Sequence, residues 1–150
     1  MNRNRFKVGA ISAIIGVVST LLVGLTASPA SAADPWECTK ATKTTSSSPS
    51  GRYQYLPARG IGASHYICWM AYGTRGDEVK ALQAAINHCY NSIPNLVPDG
   101  IYGDATKAAV RAVQTQHRIH VDGEYGEDTY YAMMFPLYRI VDNEFSGACK

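Results

Sequence analysis

Apolar positions in this sequence fall into blocks. Val8 to Leu25 is an almost continuous apolar run behind Arg3, Arg5 and Lys7. Residues 33–52 hold a Ser/Thr-rich stretch, Thr39 to Arg52, which offers too little apolar surface to offset its ordering entropy and reads as a linker. Tyr53 to Tyr72 is aromatic but interrupted by Pro57, Gly60 and Gly62, so 53–75 reads as an irregular flank with short extended pieces such as His65 to Met70. From Gly76 the spacing becomes helical. Val79, Leu82, Ile86, Cys89 and Tyr90 recur at three- and four-residue steps, predicting a helix from about Asp77 to Tyr90 that Pro94 and Pro98 prevent from continuing. A second helix is predicted after Gly103, with Ala109, Val110 and Val113 inward, fading near His117. A third runs from about Glu127 to Phe135, where Pro136 stops it. Residues 136–150 read as an irregular tail across the helices, fixed at Cys149. The expected fold class is therefore mainly α: a small three-helix domain over 76–135 with an irregular, disulfide-tethered N-terminal extension and C-terminal tail.

One stretch occurs twice. Asp99-Gly-Ile-Tyr-Gly-Asp-Ala-Thr-Lys-Ala-Ala returns 23 residues later as Asp122-Gly-Glu-Tyr-Gly-Glu-Asp-Thr-Tyr-Tyr-Ala, sharing D-G-x-Y-G-x-x-T-x-x-A. Self-similarity of this kind marks a structural unit used twice. Asp-Gly favours a tight turn, and the second Gly followed by Asp104 or Glu127 suits a helix start, where free N–H groups favour a carboxylate. The unit is a turn that launches a helix.

Composition changes the picture mainly at the N-terminus. The basic start, the apolar run and Ser28-Pro-Ala-Ser-Ala, ending in A-x-A before Ala33, read as an export signal over 1–32 rather than a membrane anchor. Cleavage there removes Arg3, Arg5 and Lys7 from the 14 basic residues and none of the 12 acidic ones, leaving 11 against 12. A nearly neutral remainder carries no electrostatic footprint for nucleic acid, and no membrane association is expected after cleavage. The four cysteines, Cys38, Cys68, Cys89 and Cys149, all follow the signal and read as two disulfides of an exported chain. Three pairings are open; Cys38 with Cys68 and Cys89 with Cys149 is preferred, because the second pair ties the tail to a helix.

Three blocks in order, Gly76-Asp-Glu-Val-Lys-Ala-Leu-Gln, Asp99 to Gln114, and Val121-Asp-Gly-Glu-Tyr-Gly-Glu-Asp-Thr, resemble the peptidoglycan-binding domain of bacterial wall hydrolases. The resemblance covers about 60 residues, Gly76 to Phe135. It implies a three-helix module that docks onto bacterial cell wall, with the protein secreted, extracellular or wall-associated. The sequence departs from the family where Pro is frequent, at Asp104 and Glu127, and where an aromatic is frequent, at Val113.

A binder of peptidoglycan needs aromatic faces and hydrogen-bonding groups. Tyr102 and Tyr125 are the candidate ring-stacking residues, with Asp99, Asp122, Asp104 and Glu127 around them and helix-start amides to receive a carboxylate. Catalytic readings fare worse. His117 and His120 lack an H-E-x-x-H context, so neither a metal nor any other cofactor is expected. The acidic pairs Glu124 with Glu127 and Asp122 with Asp128 serve capping better than a glycosidase dyad, which needs a defined separation across a cleft. The expected function is a non-catalytic binder of peptidoglycan glycan or stem peptide, the alternative being a module of the same fold that targets a secreted protein.

Overall fold

All three helical stripes are helices in the computed structural model, which describes residues 34–45, 51–60 and 65–150. Residues 1–32, read above as an export signal, lie outside the described residues. Helix α1 is Asp77–Cys89, α2 is Asp104–His117 and α3 is Glu127–Ala132. The inward face of α1, Val79, Leu82, Ala85 and Ile86, is fully buried and meets Val110 and Val113 of α2 in one core with Met70, Tyr90, Tyr102, Tyr125 and Phe135. Helix α3 stops three residues short of the expected Phe135. Met133 is already extended (φ −86°, ψ 156°), and the Met134 N–H donates to the Tyr90 hydroxyl at 2.8 Å instead of continuing a helical ladder. The following Pro136 also disfavours a helical residue before it.

The mainly-α expectation is overturned by a four-stranded antiparallel sheet. Its strands are β1 Lys40–Thr45, β2 Arg52–Ala58, β3 Pro136–Arg139 and β4 Phe145–Cys149, in the spatial order β1-β2-β3-β4. The stretch read as linker thus supplies β1 and the first residue of β2, the irregular flank supplies most of β2, and the irregular tail supplies β3 and β4. Thr42, Thr44 and Thr45 have the β-branched side chains that suit a pleated surface, and each finds a partner, Thr42 opposite Leu56 and Thr45 opposite Tyr53. Pairing, not local apolar content, supplies the order that composition seemed to deny. Strand β2 meets β3 only at Arg52 and Tyr53, which leaves Pro57 on a stretch flanked by β1 alone, where a missing N–H is tolerated.

The sheet lies against α1. Ala41, Tyr55, Pro136 and Tyr138 face Asp77, Lys80, Ala81 and Ala84 across a shallow cleft of about 230 Å³. At the far end of the helix the His88 ring stacks on Phe145, with centroids 4.4 Å apart. Of the two disulfides, Cys38–Cys68 ties the segment ahead of β1 to the stretch between β2 and α1, and Cys89–Cys149 fastens the end of α1 to β4. These are the preferred pairs of the sequence reading.

Candidate functional site

Each copy of the repeated turn is assembled around a buried glutamine. In the first, Gln83 of α1 donates from Nε2 to Asp99 Oδ1 (2.9 Å), Thr106 Oγ1 (3.1 Å) and the Ile101 carbonyl (3.2 Å), while its Oε1 accepts the Gly100 N–H (2.9 Å). In the second, Gln114 of α2 makes the same set: Asp122 Oδ1 (2.7 Å), Thr129 Oγ1 (3.1 Å), the Glu124 carbonyl (3.0 Å) and the Gly123 N–H (2.9 Å). Each aspartate also accepts the N–H two residues on, Ile101 or Glu124, both at 2.8 Å, which closes the turn. Gly100 and Gly123 share φ +76°, and a Cβ on either would lie 2.9 Å from its nearest neighbour, the Gly76 carbonyl oxygen or Arg111. Only glycine fits there without strain.

These contacts account for the acidity of both aspartates. Asp99 is held below the ordinary carboxylate range by the Gln83 amide and then by the Ile101 N–H. For Asp122 burial pushes upward, but the Glu124 N–H, the Gln114 amide and His120 together outweigh it, and the net shift is down.

Tyr102 and Tyr125, expected to present rings to a ligand, are both 0% exposed. The correction has a physical cause: segment 70–76 closes over both turns by backbone pairing. Met70 exchanges N–H and carbonyl with Tyr125 (2.8 and 2.9 Å), the Tyr102 N–H donates to Thr74 O (2.9 Å), and the Gly73 N–H donates to Tyr102 O (2.9 Å). Burial holds both phenols above their usual range.

The four acidic candidates fare differently from the tyrosines. Asp99, Asp104, Asp122 and Glu127 are all exposed. Each turn opens on a cleft: about 240 Å³ beside the first, bordered by Asp99 and Asp104, and about 250 Å³ beside the second, bordered by Asp122 and Glu127. The two clefts are equivalents. Val97 in one corresponds to His120 in the other, Ile101 to Glu124 and Ala105 to Asp128, so the first has the more apolar rim and the second the more charged one, to which Trp69 is added. Of the histidines, His117 Nε2 is hydrogen-bonded to the Tyr90 hydroxyl at 3.0 Å, and that hydroxyl also accepts the Met134 N–H. His120 Nδ1 lies 3.4 Å from Asp122 Oδ2. Sequence reasoning assigned no role to Gln83 and Gln114. The available signal was their equivalent placing, each following a buried Leu82 or Val113 on the core face, where an uncharged polar side chain needs partners.

Residues 75–133 match a family described as "Putative peptidoglycan binding domain". This segment belongs to that family. The matched segment spans all three helices and both turns, and leaves the sheet outside it. A curated relative, the N-acetylmuramoyl-L-alanine amidase CwlL of Bacillus licheniformis, is 41% identical over 61 residues, which are 41% of this chain and 17% of that protein. The chain thus spans about a sixth of that relative's length. Among solved structures, the SleB N-terminal domain is 30% identical over 42% of this chain and 84% of its own, with a TM-score of 0.39. A Burkholderia AP3 phage endolysin is 35% identical over 41% of this chain and 23% of its own, with a TM-score of 0.37.

Proposed function

We propose that this chain is an exported, non-catalytic protein that binds peptidoglycan through residues 75–133. The observation that carries the reading is that the segment matching the family builds the same turn twice, atom for atom around Gln83 and Gln114, and opens an equivalent cleft beside each. Asp104 and Glu127 are the exposed contact residues, Asp99 and Asp122 hold the rims, and Tyr102 and Tyr125 support both clefts from behind. Their hydrogen-bonding groups suit the amides and hydroxyls of wall peptide and glycan.

Binding without hydrolysis is favoured because one carboxylate at each cleft, Asp99 or Asp122, is committed to the hydrogen bonds of its own turn. Each also accepts the N–H two residues on, Ile101 or Glu124. Residues 1–32 are assigned as the export signal, removed after Ala32. The test is to mix the exported protein with insoluble peptidoglycan and assay both pellet and supernatant. Protein in the pellet with no soluble fragments released supports the reading. Protein left in the supernatant while a control binder pellets overturns the binding claim, and release of soluble fragments overturns the non-catalytic one.

A further inference from the structure

The chain has two tryptophans, Trp36 and Trp69, and they lie side by side outside the family segment. Their backbones are paired: the Trp69 N–H donates to Trp36 O at 3.0 Å, and the Cys38 N–H donates to Trp69 O at 2.9 Å. The Cys38–Cys68 disulfide locks that pairing, and the Trp69 indole N–H donates to Asp34 Oδ2 at 3.2 Å. Trp36 is braced as well. The Arg59 guanidinium lies 4.0 Å from its ring centroid and donates onward to Pro35 O at 3.3 Å. Despite these restraints Trp36 remains 56% exposed. A large ring fixed by a disulfide, a cation and a backbone ladder, yet left in water, adds little to the core. Its immobility is instead the condition under which a ring binds without losing rotamer freedom.

Between the two rings lies a hollow of about 170 Å³, completed by Ile67, Cys68 and Glu127. Trp69 and Glu127 also border the cleft beside the second turn, so hollow and cleft share a wall and form one groove. The groove pairs an aromatic face with exposed carboxylates, Glu127 foremost and Asp128 and Glu124 beyond it. Carboxylates accept hydrogen bonds from hydroxyl and amide donors and repel anionic polymers. The polarised C–H face of a pyranose suits the negative face of an indole.

We propose that Trp36, Trp69 and Glu127 form a saccharide subsite that extends the second-turn cleft and takes neutral, β-linked N-acetylated pyranose units of a glycan strand. The proposal rests on the wall-binding reading and adds to it that the glycan is the component contacted here. Because both tryptophans belong to the subsite, the intrinsic emission of the protein reports it directly.

The test is to titrate the exported protein with a β-1,4-linked N-acetylglucosamine pentamer while following tryptophan emission. Saturable change is expected. Trp36→Ala should weaken binding by about tenfold or more and Glu127→Gln by several-fold, while Trp36→Phe retains most of the affinity. Wild-type protein that pellets with insoluble peptidoglycan but shows no response to the pentamer overturns the subsite and leaves the wall-binding reading in place. Equal affinities for wild type, Trp36→Ala and Glu127→Gln also overturn it. If wild type responds to the pentamer but stays out of the peptidoglycan pellet, it is the wall-binding reading that fails.

Discussion

The Tyr102 hydroxyl donates to the Gly123 carbonyl at 3.0 Å, so the first copy of the turn is bonded directly to the second. Tyr125 occupies the equivalent place, yet its buried hydroxyl has no partner among the described residues. Two residues that look identical in the repeat therefore differ in what their oxygen contributes. Tyr102→Phe should lower unfolding free energy by about 1 kcal/mol, the usual net worth of such a bond, whereas Tyr125→Phe should be neutral or slightly stabilising. Urea denaturation checks both, and equal losses would contradict the assignment.

The glutamine hubs predict a larger effect. Gln114→Leu would leave the Gly123 N–H and the Asp122 carboxylate without their buried partner, and Gln83→Leu would do the same to Gly100 and Asp99. Each should cost about 3 kcal/mol. Replacing exposed Glu124 by Gln in the same turn should fall within about 0.5 kcal/mol of wild type. A hub variant as stable as the Glu124 variant would show that the network does not hold the turn.

Acid should loosen the same turns. Asp99 and Asp122 are more acidic folded than unfolded, so their contribution is present above the ordinary aspartate range and lost as pH falls below it. Glu78, held up by burial, works in the opposite sense and offsets part of the loss. Urea midpoints at pH 7 and pH 3 should therefore fall further for wild type than for the Asp99→Asn, Asp122→Asn double variant. An equal drop in both would remove these carboxylates from the account.

The disulfides close loops of different length, with sequence separations of 60 for Cys89–Cys149 and 30 for Cys38–Cys68. By loop-closure entropy, removing either pair as serines should cost about 4 kcal/mol, the longer slightly more. Removing Cys38–Cys68 should also alter tryptophan emission, since that bond fixes the ladder between Trp36 and Trp69. Removing Cys89–Cys149 should leave emission unchanged while the protein stays folded.

The helical part was legible because its information is local. Three- and four-residue spacing in Val79, Leu82 and Ile86 defines a face without reference to the rest of the chain, and Asp-Gly defines a turn by itself. The sheet was not legible for the opposite reason. Lys40–Thr45 is too polar to fold alone and is ordered by pairing with Arg52–Ala58, while Tyr138 reaches Tyr53 from the other end of the chain. The tyrosines were misplaced because the turn chemistry does not reveal which face segment 70–76 will cover. Gln83 and Gln114 escaped because polar residues on a helix usually face water, and only the bonds they make explain their burial.

The central claim is that the repeated-turn segment holds the protein to peptidoglycan, and co-sedimentation of the exported protein with insoluble peptidoglycan tests it most directly. Wild type should pellet saturably, and Asp104→Lys with Glu127→Lys, exposed positions in the first turns of α2 and α3, should lower stability by only about 1–2 kcal/mol, leaving the protein folded, while weakening binding by about tenfold or more. Wild type remaining in the supernatant beside a control binder that pellets, or a folded double variant that binds as tightly as wild type, would contradict the account.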